Sequence, residues 1–526
     1  MRRKRLWTWL LVALFVLMLA AEALAVVKLF YLDMLPPAYL MILVAVFAVF
    51  SLGIGLLAFI RTWRPAKIRK IIAAVLAVLL FCGCTAIATV ADDVMKTLEA
   101  TTREFLEIPT REVYVLADSP AQELETADGY TYGYLKNYDE NCTQQALEKI
   151  AKRIGREPAT AGFTNISTMA MALLDNRIDA IVLNGGLISI LEDAEEFSAF
   201  STKTRILAQI RVDEEAGIDG IQMSAQEEAD SPEETYAIQE QQTDPTEEAV
   251  DFSELKPFVV YVSGSDSYET EVVKYGRSDV NILAVVNPLT KQVLLISTHR
   301  DYYVDTTAKY GEKDKLTHCG IYGTKCSMRT LGNLYGVDIE YFVRVNFTGF
   351  KKLIDAMGGV TVYSDYAFTA ITRTDIKEGE NHLTGQQALD FARERVTLPG
   401  GDNDRGKNQM KVITAVIEKA TTGTTIITNY SDILASVEGM FTMNLPTELI
   451  SELMKMQLGD MARWNVVSYS ATGYYAKKET YSMPGVELSV LEPNYASIRK
   501  AARLIDMVYA GELLTEEVIA GIVGQK

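Results

Sequence analysis

Three apolar stretches crowd roughly the first ninety residues, and they decide where the rest of the chain can reside. They run from about Leu6 to Val27, Ala38 to Ile60 and Ile71 to Val90, with only Glu22 interrupting, near the end of the first. Each holds about 20 residues, enough for a helix to cross a hydrocarbon core of roughly 30 Å. A cleaved signal peptide is the competing reading of the first stretch, given Met1-Arg-Arg-Lys-Arg5, but two more spans follow with no folded segment between them. Basic residues set the orientation. Arg2, Arg3, Lys4 and Arg5 precede the first span, and Arg61, Arg64, Lys67, Arg69 and Lys70 separate the second from the third. The positive-inside rule places both groups in the cytoplasm and everything after Asp92 outside. The expectation is a multi-pass protein of the cytoplasmic membrane, with a large extracytoplasmic part.

The charge balance narrows the partners. Across 526 residues, 51 basic against 69 acidic side chains give a net charge of −18, which argues against a nucleic-acid partner, since that needs a basic surface. His299, His318 and His382 are too scattered for a His-rich zinc site. The excess charge is local: residues 212–255 carry fifteen Asp or Glu and no Lys or Arg. Such composition buries too little apolar surface to offset ordering entropy, so the stretch reads as a disordered, self-repelling tether. Cys82 and Cys84 fall inside the third span. Cys319 and Cys326 are near enough in sequence to bridge in an oxidising compartment, two free buried thiols being an equal alternative.

On the N-terminal side of the tether, residues 110–211 alternate short strands and helices. Glu112–Ala117 and Gly133–Leu135 read as strands, and Thr143–Ile154 as an amphipathic helix. The helix Ile166–Leu174, followed by Arg177-Ile-Asp-Ala-Ile-Val-Leu183, resembles a lobe of periplasmic solute-binding proteins. An accessory α/β module without a ligand is the plainer reading. Beyond the tether, Phe258–Val262, Val280–Val286 and Gln292–Ser297 read as strands, the last two joined as a hairpin by Asn287-Pro-Leu-Thr-Lys291. Helices are expected at Met328–Tyr335, Phe347–Met357, Ile433–Phe441, Thr447–Met456 and Ala496–Tyr509, with a strand at Trp464–Tyr469. The alternation predicts a layered α/β body over 256–526. Tyr474, Tyr475 and Tyr481 read better as packing residues than as the lining of a sugar groove.

Two clusters carry chemistry. Asp266 ends a strand, Arg277 and Asp279 begin the next, and Arg300-Asp301 end a third. Further on, Arg393-Glu-Arg395 leads through Pro399-Gly-Gly-Asp402 to Asp404-Arg405 and Gln409. If strands 258–262 and 292–297 are parallel neighbours, Asp266 and Arg300 leave one sheet edge, where α/β folds bind ligands. Gathered guanidinium forks suit phosphate oxygens and stay charged at any relevant pH. Carboxylates there would repel a phosphate unless a divalent cation stood between, so Asp266 and Asp279 are candidate ligands for Mg²⁺ or Mn²⁺. The competing reading pairs these Asp and Arg residues as surface salt bridges, which contribute little.

Six ordered segments resemble the LytR-CpsA-Psr family: Arg277-Ser-Asp-Val280, Ser297-Thr-His-Arg-Asp301, Gly358-Gly-Val360, Leu383–Leu389, Phe391-Ala-Arg-Glu-Arg395 and Gly401-Asp-Asn-Asp-Arg405 with Gln409. The resemblance runs from about Tyr275 to Ile417 and implies a membrane-anchored enzyme with an α-β-α layered catalytic domain. It implies a phosphotransferase that moves an anionic glycopolymer, such as a teichoic acid or capsule, from an undecaprenyl-pyrophosphate carrier to peptidoglycan. By motif, Arg300, Arg393, Arg395, Arg405 and Gln409 would hold the pyrophosphate, Asp266 and Asp279 would organise the metal, and Arg277 and Lys315 would make secondary contacts. The family usually has Pro where His299 stands. Apolar strands 280–286 and 292–296, with the helix near 348–357, are candidates to enclose a prenyl tail. Two rival functions remain at this point: an extracytoplasmic binding or sensory protein, and a pyrophosphatase that releases the glycan to water.

Overall fold

The structure is a computed structural model and describes residues 2–60, 66–102, 110–136, 140–192, 194–212, 255–265, 276–309, 311–422, 433 and 440–524. Most of the acidic tether, and Asp266, lie outside these residues. Three helices open the chain: α1 (Arg2–Leu32), α2 (Pro37–Phe59) and α3 (Ala66–Thr102). Each contains a segment long and apolar enough to cross a membrane, at Trp9–Leu32, Pro37–Phe59 and Lys67–Leu98. They pack through small side chains, among them Ala58, Ala73 and Ala77 at one level and Ala21, Ala25 and Ala88 at another. Small residues let helix backbones approach where lipid removes any hydrophobic drive to associate.

One end of this bundle carries the soluble body directly. Leu32, Met34, Val94 and Leu98 pack against Phe441, Met443, Leu445 and Ile450. Polar contacts reinforce the joint: Lys455 Nζ lies 2.7 Å from Asp33 Oδ2, and the Tyr39 hydroxyl donates to the Leu458 carbonyl at 2.8 Å. The α1–α2 turn and the soluble body therefore share one end of the bundle, as three crossings require.

The accessory module is a five-stranded mixed sheet ordered β3-β2-β4-β1-β5. Its elements are β1 (Thr110–Leu116), β2 (Thr131–Leu135), α4 (Glu140–Ile154), β3 (Ala159–Phe163), α5 (Ile166–Leu174), β4 (Ala180–Leu183), α6 (Gly186–Leu191), α7 (Phe200–Lys203) and β5 (Thr204–Arg211). Every β4 residue is buried, which explains why Ala-Ile-Val-Leu reads as a continuous apolar run. The module is docked on the second body: Ile166, Met169 and Leu187 share one apolar cluster with Ile321, Met483 and Leu488.

The second body is built on a six-stranded sheet. Its first strands are β6 (Phe258–Ser265), β7 (Val280–Asn287) and β8 (Gln292–Ser297); β9 (Tyr303–Asp305) and β10 (Lys313–Lys315) form a small separate ribbon, and β11 (Tyr341–Asn346) returns to the sheet. The order is 441–443, β11, β6, β7, β8, 465–470. β7 is antiparallel to both β6 and β8, with Gly264 opposite Val280 and Ile282 opposite Ser297. The expected hairpin is present. β6 and β8 are parallel to each other but not neighbours, because β7 stands between them. One edge nonetheless collects the C-terminal ends of β11, β6, β8 and strand Asn465–Ser470, together with the start of β7.

Residues alternate between two buried faces. Val259, Tyr261, Leu283, Leu294 and Ile296 face α9 (Thr324–Tyr335), which follows the short α8 (Leu316–Cys319), and helix Tyr495–Tyr509. Val260, Ile282, Ala284 and Leu295 face Met410 and Leu449 on the opposite side. That side is covered by α12 (Asp402–Thr421) and helix Thr447–Asp460, and near it lie α10 (Phe347–Ala356) and α11 (Gly385–Arg393). Helices on both faces make the three α-β-α layers. One detail differs from expectation, and one decides between two open readings. Phe441 belongs to an edge strand, paired with Val345, while residues 434–439 of the expected helix lie outside the described residues. Cys319 and Cys326 are buried free thiols.

Candidate functional site

The collecting edge of the sheet holds a cavity of about 290 Å³. Arg300, Arg393, Arg395, Arg405, Asp279 and Gln409 all line it. They arrive from several pieces of local structure, Arg405 and Gln409 from one helix. Asp279 immediately precedes β7, and its N–H donates to the Gly264 carbonyl at 2.8 Å. Arg300 follows β8 and reaches back to Asp279 Oδ1 at 2.9 Å. Thr317 Oγ1 donates to the same oxygen at 3.2 Å.

Arg393 ends α11, whose start is fixed by a reciprocal Thr384–Gln387 capping box. Its guanidinium sits 4.2 Å above the Phe347 ring, a cation–π contact that aligns the fork. The loop after it is knotted by Glu394, whose carboxylate accepts from the N–H groups of Arg395, Val396 and Thr397 at 2.7–3.0 Å. That knot sets where Arg395 leaves the chain. Gly401 precedes α12 with φ +55 and ψ −123, a conformation that disfavours any side chain. The turn delivers Arg405 in the first turn of α12, its Nη2 2.7 Å from Asp402 Oδ1. Gln409, one turn on, donates to the Ala392 carbonyl at 3.3 Å and ties α12 to α11.

The electrostatics follow from crowding. Burial alone would push the Asp279 carboxyl up, but Arg300, Arg277 and Arg405 together hold it below its ordinary value. Asp402 behaves likewise: burial opposes its charge, and His299, Arg405 and Arg300 outweigh burial. Arg405 is pushed down, by burial first and then by Arg300 and Arg395, despite its two carboxylate neighbours. Around the cavity, four guanidinium groups meet one lining carboxylate, leaving an excess of positive charge for an anion. The remaining walls are apolar, including Val262, Val280, Phe350, Leu389, Val412 and Ile413.

Arg277 and Lys315 do not line this cavity. Arg277 turns to the accessory module and donates to the Ser189 carbonyl at 3.1 Å. Lys315 Nζ lies 3.4 Å from Asp301 Oδ1, behind Arg300. Asp266 lies outside the described residues. Among the described residues no three Asp, Glu, His or Cys side chains meet as a metal cage.

Sequence reasoning missed the residue beneath the site. Arg344, fully buried on β11, donates to Ser263 Oγ (3.2 Å), Ser278 Oγ (3.0 Å) and the Gly276 carbonyl (2.8 Å). It thereby anchors the segment entering Asp279. The same segment passes close to Gly320, where a Cβ would stand 2.5 Å from the Gly276 oxygen and 2.5 Å from Ser278 Oγ. Gly320→Ala is expected to lower stability by about 2 kcal/mol, as overpacking does, and to weaken activity by displacing Asp279. Denaturant unfolding alongside a turnover assay checks both. The cue in sequence was Arg344 itself, a charged residue inside an apolar strand pattern.

A cationic cage at converging strand ends, walled by apolar side chains, together with three membrane-length helices, defines an α/β protein with a site suited to an anion. The LytR_cpsA_psr family profile matches residues 221–494, just over half of the chain. TagU of Enterococcus faecalis, a polyisoprenyl-teichoic acid–peptidoglycan teichoic acid transferase, is 35% identical over 207 residues, covering 39% of this chain and 66% of its own length. The TagU transferase of Bacillus cereus is 34% identical over 209 residues, covering 40% and 67%. The chain thus spans about two thirds of these curated relatives. The crystal structure of Bacillus subtilis TagV aligns with 49% of this chain and 99% of its own, at 24% identity and a TM-score of 0.41. The chain belongs to the LytR-CpsA-Psr family.

Proposed function

We propose that the cavity binds a glycan carried on undecaprenyl pyrophosphate, and that the protein transfers the phosphate-linked glycan to peptidoglycan. The observation that carries this reading is the gathering of Arg300, Arg393, Arg395 and Arg405 around one volume whose other walls are apolar. Guanidinium forks fit the pyrophosphate oxygens, and Val262, Phe350, Leu389 and Ile413 fit the adjoining prenyl chain. The relatives' names, which specify teichoic acid and peptidoglycan, agree.

In the proposed reaction a peptidoglycan hydroxyl oxygen bonds to the phosphorus attached to the glycan. The bond from that phosphorus to the polyprenyl-phosphate oxygen breaks, polyprenyl phosphate departs, and the acceptor proton passes to solvent. Such transfer is mostly positioning and charge stabilisation, so no covalent nucleophile is required. Arg300 and Arg405 hold the charge that builds on the phosphoryl oxygens, Arg393 and Arg395 hold the leaving phosphate, and Asp279 fixes Arg300.

A divalent cation is part of the proposal. Mg²⁺ typically keeps several waters and takes one or two carboxylates plus substrate phosphates, so Asp279 is a fitting donor without a protein cage, and Asp266 is the second candidate by sequence alone. When bound, the cation would neutralise pyrophosphate charge. Chelating divalent ions is expected to abolish transfer, and activity that persists in chelator counts against both carboxylates as ligands. The reading itself is tested by incubating purified full-length protein with a polyprenyl-pyrophosphate oligosaccharide and peptidoglycan. Mass spectrometry should find the glycan joined through a phosphodiester. Release of free glycan phosphate alone would instead indicate hydrolysis to water.

We also propose that the soluble part is extracytoplasmic, on the basic residues flanking the spans.

A further inference from the structure

A second opening reaches the arginine cage. This narrow cleft, of about 20 Å³, shares Asp279, Arg300, Arg405 and Gln409 with the first cavity. Its other wall is separate: His299 beyond β8, Asp402 at the start of α12, and Ser470 and Ala471 at the end of strand Asn465–Ser470. The first cavity lies over the ends of β11 and β6, the cleft over β8 and 465–470, with β7 between the pairs. The cage therefore opens on two flanks. The cleft has room for one water-sized group, such as a hydroxyl.

His299 organises the cleft. Its side chain is 4% exposed, Nδ1 accepts from the Asp301 N–H at 3.1 Å, and Nε2 lies 2.5 Å from Asp402 Oδ2. With Nδ1 occupied as an acceptor, Nε2 is the ring nitrogen that faces Asp402. The other Asp402 oxygen is the one that pairs with Arg405. Above the imidazole, the Tyr475 ring stands edge-on, 6.2 Å between centroids and 87° between planes. Tyr475 is nevertheless 68% exposed, so it is a rim residue and not the packing residue its sequence context suggests. Burial, with Asp402 and Asp301, pushes its pKa up, which keeps the phenol protonated and able to donate.

We propose that this cleft is the acceptor subsite: a sugar hydroxyl of the acceptor glycan enters it, the sugar ring rests on Tyr475, and His299 positions Asp402 and through it Arg405. The inference rests on the phosphotransferase reading and adds the acceptor's place to it. In-line displacement needs the incoming and departing oxygens on opposite sides of phosphorus. A donor cavity on one flank of the cage and a hydroxyl-sized cleft on the other supply two such approaches.

The test uses full-length protein, a polyprenyl-pyrophosphate oligosaccharide donor and a peptidoglycan oligosaccharide acceptor, with KM measured for each. Tyr475→Ala should raise the acceptor KM about tenfold, the size of one lost aromatic contact, and leave the donor KM within about twofold. Tyr475→Phe, which keeps the ring, should restore most of the acceptor affinity. His299→Ala should lower kcat, and His299→Gln, whose amide can both accept from Asp301 and donate to Asp402, should recover it. An unchanged acceptor KM in Tyr475→Ala, or an equal rise in both KM values, overturns the assignment. Failure of the unsubstituted protein to transfer at all would instead bring down the phosphotransferase reading, and the subsite with it.

Discussion

Arg300→Ala is expected to reduce glycan transfer by at least about a hundredfold, on the scale of removing one preorganised donor to a developing charge. The size of the effect follows from where Arg300 stands. It lines both openings of the cage and is the group that Asp279 contacts at 2.9 Å. Truncation removes a donor and also leaves Asp279 partly buried with one partner fewer, facing an anionic substrate. Arg300→Lys should recover only part of the loss, because an ammonium restores charge but not the planar fork. Initial rates for the three proteins, with folding checked by circular dichroism, decide the matter. Wild-type turnover in Arg300→Ala would remove the cage from the mechanism.

Arg344→Met should cost about 3–5 kcal/mol of stability and lose activity with it. The guanidinium is buried and donates to two serine hydroxyls and to the main-chain carbonyls of Gly276 and Arg277. Hydrogen bonds to charged groups contribute roughly 1.5–3 kcal/mol each, and acceptors left unpaired in the interior add a desolvation penalty. Methionine matches the length but donates nothing, so the segment Gly276–Ser278 loses its anchor. Denaturant melts of the two proteins check this. A loss below about 1 kcal/mol would mean that the network around Ser263 and Ser278 closes on itself without the arginine.

The architecture was largely legible because its signals are periodic. Three twenty-residue apolar runs can hardly be anything but long helices, and the helix Ile166–Leu174 and strand Gln292–Ser297 match their expected bounds. Strand order was less legible. The assumption that β6 and β8 are neighbours fails because pairing depends on chain return, which composition does not encode, although the shared edge survives. The convergence of Arg300, Arg393, Arg395 and Arg405 was readable from motif order, whereas Arg277 and Lys315 turn elsewhere, one to the Ser189 carbonyl and one to Asp301. Nothing in local sequence forecasts that, since the partner of Arg277 lies in a module expected to be separate. His299, Asp402 and Arg344 were missed for a related reason: their partners lie 81 and 66 residues away for Arg344, and their importance is tertiary.

The seating of strand Phe441–Met443 and helix Thr447–Asp460 on the ends of α1 and α3 fixes the altitude of the arginine cage above the bilayer. With β11 paired to that strand and lining the cavity, a pyrophosphate bound as proposed would have a set clearance from the lipid surface. A carrier lipid would need only to diffuse laterally to meet it, a search in two dimensions. Lengthening the joint by a few residues would raise the cage out of reach of a headgroup whose tail stays embedded.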